Sequence, residues 1–305
     1  MSLRHTLFAL AAFATSATLV GCHNDELPGA TESTAPVPVG DTVVLSASGK
    51  VLTFNRASLS SLVSSVTIKG LASGEAFVGI DVRPQDSLIY GVTNQGNLYT
   101  LDDSTGKVTL KFALSAGAAT DRTCTGGAPG LFTALSGTEF AVDFNPMADR
   151  LRVASDTRQN LRINVADGKV IVDCPITFAA GASGTPKPTA AAYTNSIPGM
   201  TATTTRLFYI DSGDDMVYTI DTSTNDAGTM MPTNANNGIL TPVGALGVNA
   251  GDVNGFDIEG STSTGFAVLT VNGVTGFYRL DSSTGAATVQ VNFPAGEVLR
   301  GLSLK

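Results

Sequence analysis

The chain has 305 residues, 43% of them hydrophobic and only 14% charged, a balance that excludes an intrinsically disordered chain and supports a sizeable core. The formal net charge is -8 and no basic cluster occurs, which argues against nucleic-acid binding through phosphate neutralisation. Gly is abundant at 33 residues, and Ser, Thr, Asn and Asp crowd between short apolar runs, so many short strands joined by tight turns are expected.

In chain order, the first segment reads as an export signal. Arg4 and His5 precede an apolar run over residues 7–20, too short for a stable transmembrane helix. The run ends in Leu19, Val20, Gly21 and Cys22, which resembles the lipobox of bacterial lipoproteins, where the cysteine is lipidated and becomes the mature N-terminus. An ordinary secretory signal with a chance cysteine is the competing reading. On the lipobox reading residues 1–21 are the signal peptide, and Cys22 anchors the protein to a membrane. Position 23 is His rather than Asp; by resemblance to the enterobacterial sorting rule this favours the outer membrane. Residues 22–41 are polar, proline-containing and aperiodic, and read as a flexible tether; residues 42–305 are left for a folded domain.

That domain is internally repetitive. Five segments share one pattern: FVGIDVRP at 77–84, EFAVDFNP at 139–146, TAAAYTNS at 189–196, VNGFDIEG at 253–260 and VLRGLSL at 298–304. A small residue (Gly79, Ala141, Ala191, Gly255, Gly301) stands two before a polar one (Asp81, Asp143, Tyr193, Asp257, Ser303). Two-residue spacing puts both on one face of a strand. A hairpin is predicted after each of the first four: 88–93 with 98–102, 151–155 with 161–165, 207–211 with 216–221, and 266–271 with 276–281. Their turns, NQGN, DTRQN, SGDD and NG, tolerate the positive φ that tight hairpins need. Further turns, DDSTG at 102–106, DTSTN at 221–225, DSSTG at 281–285 and the shorter Asp167-Gly168, lead to fourth strands beginning at Lys107, Lys169, Gly238 and Ala286.

Four antiparallel strands per unit describe one propeller blade. The termini complete the count. Residues 42–47, 51–55 and 62–71 read as a hairpin plus fourth strand lacking a first strand, and 298–304 reads as a first strand lacking its hairpin. Their pairing predicts an all-β, five-bladed propeller of four-stranded antiparallel blades, closed by the C-terminal strand on the N-terminal blade. Closure removes edges that would otherwise stay unpaired. An irregular β-sandwich and a six-bladed ring are the alternatives. Long loops at 117–137 and 226–252, with 181–187, are the expected places for a functional surface. With Cys22 lipidated, Cys124 and Cys174 are left, and an oxidising compartment favours a disulfide between them over two free thiols.

Two units carry longer motifs. DFNPMADRLRV at 143–153 followed by QNLRIN at 159–164 resembles the signature of the bacterial family DUF4394, and NNGILTPVGALG at 236–247 with GFDI at 255–258 is similar to its later motifs. The resemblance covers roughly residues 42–305. It implies an exported, propeller-like protein with no established activity, and supplies no catalytic residues to carry over.

Three groups of residues bear chemistry. Asp81, Asp143 and Asp257 occupy equivalent innermost positions and would approach one another around a central channel. Clustered carboxylates bind cations or perform acid–base hydrolysis, as in a carboxylate-dependent glycosidase; alternatively each accepts backbone N–H groups. Asn145, Asp149, Arg150, Arg152, Asn160 and Arg162 form the densest polar stretch. Arg150 and Arg152 alternate with Leu151 and Val153 and should share a face with Arg162, fit for an anion or for ion pairs with Asp149, Asp143 and Asp156. Asp252, Asn254 and Asp257, with Glu259, are closely spaced oxygen donors for Ca2+, though not at EF-hand spacing.

Absences narrow the function. No His lies beyond His23, which excludes Ser-His-Asp and Cys-His catalysis and His-ligated metals in the domain. Trp is absent, removing the usual sugar-stacking platform, and TGGAPG at 125–130 lacks the Lys-Ser/Thr of a phosphate loop. The leading expectation is a non-catalytic binding or structural module of the cell envelope, needing no cofactor, with a glycan or envelope protein as partner. A channel glycosidase and a cation-stabilised scaffold are the alternatives.

Overall fold

The computed structural model describes residues 35–120, 123–124, 128–221, 235–294, 296 and 298–305. The predicted signal peptide, Cys22, most of the tether and the turn at 222–225 lie outside the described residues.

Blade one uses β1 (Thr42–Ser46), β2 (Lys50–Asn55) and β3 (Ser58–Thr67). Blade two is β4 (Phe77–Val82), β5 (Ile89–Thr93), β6 (Asn97–Leu101) and β7 (Val108–Ala113). A short β8 (Ser115–Ala116) precedes blade three, which is β9 (Phe140–Asn145), β10 (Arg150–Ser155), β11 (Asn160–Asn164) and β12 (Lys169–Val172). Another short strand, β13 (Thr177–Phe178), precedes blade four: β14 (Pro188–Tyr193), β15 (Arg206–Asp211), β16 (Met216–Asp221), a single 3-10 turn at Ala235–Asn237, and β17 (Ile239–Ala245). Blade five is β18 (Gly255–Ile258), β19 (Gly265–Val271), β20 (Val274–Leu280) and β21 (Ala287–Asn292). Finally β22 (Leu299–Leu304) returns to pair antiparallel with β1, Val43 opposite Ser303.

The result is a ring of five small sheets, a five-bladed β-propeller. The innermost strands pack as a closed circle: β22 on β4, β4 on β9, β9 on β14, β14 on β18, and β18 on β22. Because each blade is covered on both faces by its neighbours, β4, β9 and β14 are buried along their whole length. The outer β7 and β21 are largely exposed and carry Thr, Lys and Gln. Apolar side chains collect between blades, so the core is divided into five clusters, one at each junction.

The small-x-polar pattern follows from this geometry. A Cβ on Gly255 would stand 2.6 Å from the carbonyl carbon of Gly301 on the adjoining inner strand, and one on Gly79 would stand 2.4 Å from a methyl of Val142. Inner strands converge on the axis, so the position facing the next blade has no room for bulk. The turns also match their chemistry. Asn272 and Gly273 both have positive φ, as the two-residue β19–β20 hairpin requires. Asp102 accepts Ser104 N–H at 2.9 Å and Asp281 accepts Ser283 N–H at 2.8 Å, one turn used twice.

Two features differ from the expected four-stranded pattern. Blades three and four have five strands, because β8 and β13 add in parallel to the outer edges of β12 and β17. Each comes from the linker leaving the preceding blade, and it covers an edge of unpaired backbone groups. The third strand of blade one begins at Ser58 rather than near residue 62, with register shifts at Thr53/Phe54 and Phe54/Asn55. The chain ahead of β1 already touches the ring: Val37 N–H donates to Ser104 O at 2.9 Å, and Gly40 N–H to Thr53 Oγ1 at 3.0 Å. No helix among the described residues is long and apolar enough to cross a membrane.

Candidate functional site

Asp81, Asp143 and Asp257 sit near the C-terminal ends of β4, β9 and β18, and all three are buried. One oxygen from each lies within 4.8 Å of the others. Their hydrogen bonds run from blade to blade. Asp81 accepts Val82 N–H at 2.7 Å, the Ser303 hydroxyl at 2.6 Å and Phe144 N–H at 2.7 Å, joining blades one, two and three. Asp257 accepts Ile258 N–H at 2.6 Å and Leu304 N–H at 2.8 Å, joining blade five to blade one. Asp143 accepts Tyr193 N–H at 2.9 Å through Oδ1, joining blade three to blade four. Its buried Oδ2 receives no hydrogen bond from the described residues.

Burial pushes the Asp81 carboxyl up to about 7, against the opposing pull of Ser303 and the Phe144 and Val82 N–H groups. Asp143 is raised well above the usual carboxylate range by burial first, then by the charges of Asp81 and Asp257. Asp257 is raised likewise by burial and then by Asp81. A cavity of about 110 Å³ reaches Asp81 and Asp257, with Arg56, Glu259 and Lys305 at its wall. Arg56 donates to Glu259 at 2.7 Å and to Lys305 O at 3.1 Å, and Lys305 Nζ pairs with Asp103.

The second centre is built on Arg152, a fully buried guanidinium. It donates to Asn160 Oδ1 at 2.7 Å, Asp173 Oδ2 at 2.7 Å, Asn236 Oδ1 at 2.8 Å and Tyr193 Oη at 3.3 Å. Arg162 closes on Asp173 with both carboxylate oxygens, at 2.7 and 2.9 Å. Asn160 in turn donates to Cys174 O and Ala235 O, each at 3.0 Å. The Cys124–Cys174 disulfide stands beside this network, with Cα atoms 5.4 Å apart.

The sequence model of one family matches residues 50–303, from the second strand to the closing one. The chain belongs to the DUF4394 family, a domain of unknown function. No curated protein matches. Among solved structures the DUF4394 chain is similar to a protein of unknown function from Bacteroides thetaiotaomicron, at 14% identity and TM-score 0.46, covering 88% of this chain and 64% of that one. It is also similar to a chain of a nidogen/laminin complex, at 9% identity and TM-score 0.46, covering 86% and 97%. A protein from Lactobacillus plantarum gives 14% identity and TM-score 0.39, covering 86% and 70%.

The DUF4394 motifs at 143–153, 159–164 and 236–247 meet in space: Arg152, Asn160 and Asn236 come one from each, and all three join the buried network. The expected grouping of six polar residues divides. Arg152, Asn160 and Arg162 come together, but around Asp173, which sequence reasoning did not single out; nor did it connect the repeat position Tyr193 or the motif residue Asn236 with these arginines. The acidic partners expected for these arginines are engaged elsewhere. Asp149 binds Arg83 at 2.8 and 2.5 Å, and Asp156 accepts Thr138 N–H and hydroxyl. Asn145 caps the β9–β10 turn by accepting Met147 and Ala148 N–H, while Arg150 donates to Ala148 O and Asp149 O.

The proposed Ca2+ donors of the β18 region also part company. Asp252 pairs with Lys187 at 2.6 Å and accepts the Ser212 hydroxyl at 2.9 Å. Asn254 donates to Thr189 Oγ1 and Gly251 O, each at 2.9 Å. Asn254 precedes β18, whereas Asp257 stands within it. Asp257 belongs instead with Asp81 and Asp143.

Proposed function

We infer that this DUF4394 protein is a non-catalytic module of the bacterial cell envelope, held by lipidated Cys22 and presenting a rigid propeller on a short tether. The observation that carries the reading is the use of its charged centres as blade-to-blade fastenings. Asp81 and Asp257 each have a hydrogen-bond donor on both oxygens, and the buried Arg152 directs four hydrogen bonds to groups inside the molecule. A glycosidase of the retaining type needs carboxyl groups about 5–5.5 Å apart and an inverting one about 6.5–9.5 Å, with free oxygens facing the sugar. Axial oxygens mostly bonded to backbone N–H groups do not favour that use. An envelope glycan or protein would then be met by the outer loops rather than the axis.

The test has two arms. Metabolic labelling with a palmitate analogue, with C22S as control, should mark the wild-type chain alone and place it in the membrane fraction. Crosslinking in intact cells should capture an envelope component, while a broad panel of glycosides shows no turnover. A C22S chain that still fractionates with membranes, or measurable hydrolysis by the wild type, would overturn the reading.

A further inference from the structure

The axial carboxylates are not equally served. Both oxygens of Asp81 and of Asp257 receive N–H or O–H donors. Asp143 stands next to Asp81 in the circle of polar positions, is 1% exposed, and has one oxygen that no described donor reaches. No Lys or Arg among the described residues forms an ion pair with any of the three. Three carboxylates withdrawn from water and set together repel strongly, and an unmatched buried oxygen adds its own desolvation cost.

Geometry favours a particular neutralising group. One oxygen from each aspartate lies within 4.8 Å of the other two. Calcium bonds oxygen at about 2.4 Å and accepts an irregular set of carboxylate and water ligands. Magnesium, at about 2.1 Å, demands a tighter and more regular octahedron. A carboxylate oxygen already accepting one hydrogen bond keeps a lone pair for a cation. The cavity of about 110 Å³ that opens on Asp81 and Asp257 has room for waters to complete a coordination shell.

We propose that Asp81, Asp143 and Asp257 bind one calcium ion on the propeller axis, entered through the cavity beside Arg56 and Lys305. The ion fastens blade five to blades two and three, which Phe144 N–H on Asp81 already joins at the axis. This site does not depend on the envelope-module reading and would stand if that reading failed.

The full chain, stripped of metal with EDTA and dialysed near neutral pH, is titrated with CaCl2 by calorimetry while its melting temperature is followed. Saturable binding of one ion per chain and a melting temperature that climbs with CaCl2 are expected, with MgCl2 at least roughly tenfold weaker. The D143N variant keeps an acceptor for Tyr193 N–H and turns an N–H2 group toward the other carboxylates. It should fold, bind calcium at least roughly tenfold more weakly and lose the calcium-dependent shift. Wild-type protein with neither heat nor a melting shift at millimolar CaCl2 would overturn the site, as would a magnesium preference or wild-type calcium binding by D143N. If D143N does not fold, the wild-type titration alone decides.

Discussion

Ser303, on the last strand, donates its hydroxyl to Asp81 at 2.6 Å across 222 residues of sequence, and accepts Val82 N–H at 2.8 Å in return. This reciprocal contact locks the closing strand to blade two at the axis. Replacing Ser303 with Ala removes a donor from a buried carboxylate and is expected to cost about 1–3 kcal/mol. Urea unfolding of S303A measures it, with S303T, which keeps the hydroxyl, expected to lose less.

Gly255 faces the backbone of Gly301 with no space for a methyl group. G255A forces β18 and β22 apart and is expected to destabilise by about 1–3 kcal/mol through overpacking. A shift in denaturation midpoint without a change in slope would mark a loss of stability in an otherwise intact ring.

Asp173 holds two guanidinium groups while itself fully buried. D173A strands Arg152 and is expected to cost about 3–5 kcal/mol. R162A should cost clearly less, because Arg162 is partly exposed and Asp173 keeps Arg152. Thermal melts of the two variants side by side test the ranking; equal losses would contradict it.

The Cys124–Cys174 bridge closes a loop with a sequence separation of 50. In the chain-entropy model its removal costs about 4 kcal/mol. The double variant C124S/C174S should therefore melt well below the oxidised wild type, and reductant should lower the wild-type melting temperature while leaving the double variant unchanged.

In chelator, stability should fall as pH rises from about 4 to about 7. A carboxyl with a raised folded-state pKa binds its proton more tightly in the native chain than in the unfolded one, where the value is about 4. The stabilisation from that proton is complete below the unfolded value and is lost as pH passes the folded one, about 7 for Asp81. Asp143 and Asp257 act in the same direction. Urea unfolding at intervals between pH 4 and pH 8 checks the slope; a stability that rises across this window would contradict it.

Much of the architecture was legible in the chain itself. Period-two alternation, Asn-Gly and Asp-x-x-x-Gly turns and the repeated small-x-polar segments are local properties, set by strand pleat and turn sterics, so the inner strands and hairpins could be placed from them. Closure of Leu299–Leu304 on Thr42–Ser46 followed from counting, because an unpaired edge is costly, and the Cys124–Cys174 bridge followed from there being two cysteines left to pair. Tertiary structure alone decided the rest. β8 and β13 have two residues each, too few for any periodic signal. Arg152 chose Asp173 and Asn236 over the nearer Asp149 and Asp156, because blade packing brings in a side chain 84 residues away while the turn geometry gives Asp149 to Arg83. Asp81, Asp143 and Asp257 look equivalent in the repeat. They differ because Phe144 and Leu304, each one past its blade's polar position, donate to Asp81 and Asp257, whereas Tyr193, at the polar position itself, donates to Asp143. A hydrogen bond depends on where the neighbouring strand puts its N–H, and that offset between blades is a property of the assembled ring, not of any segment within it.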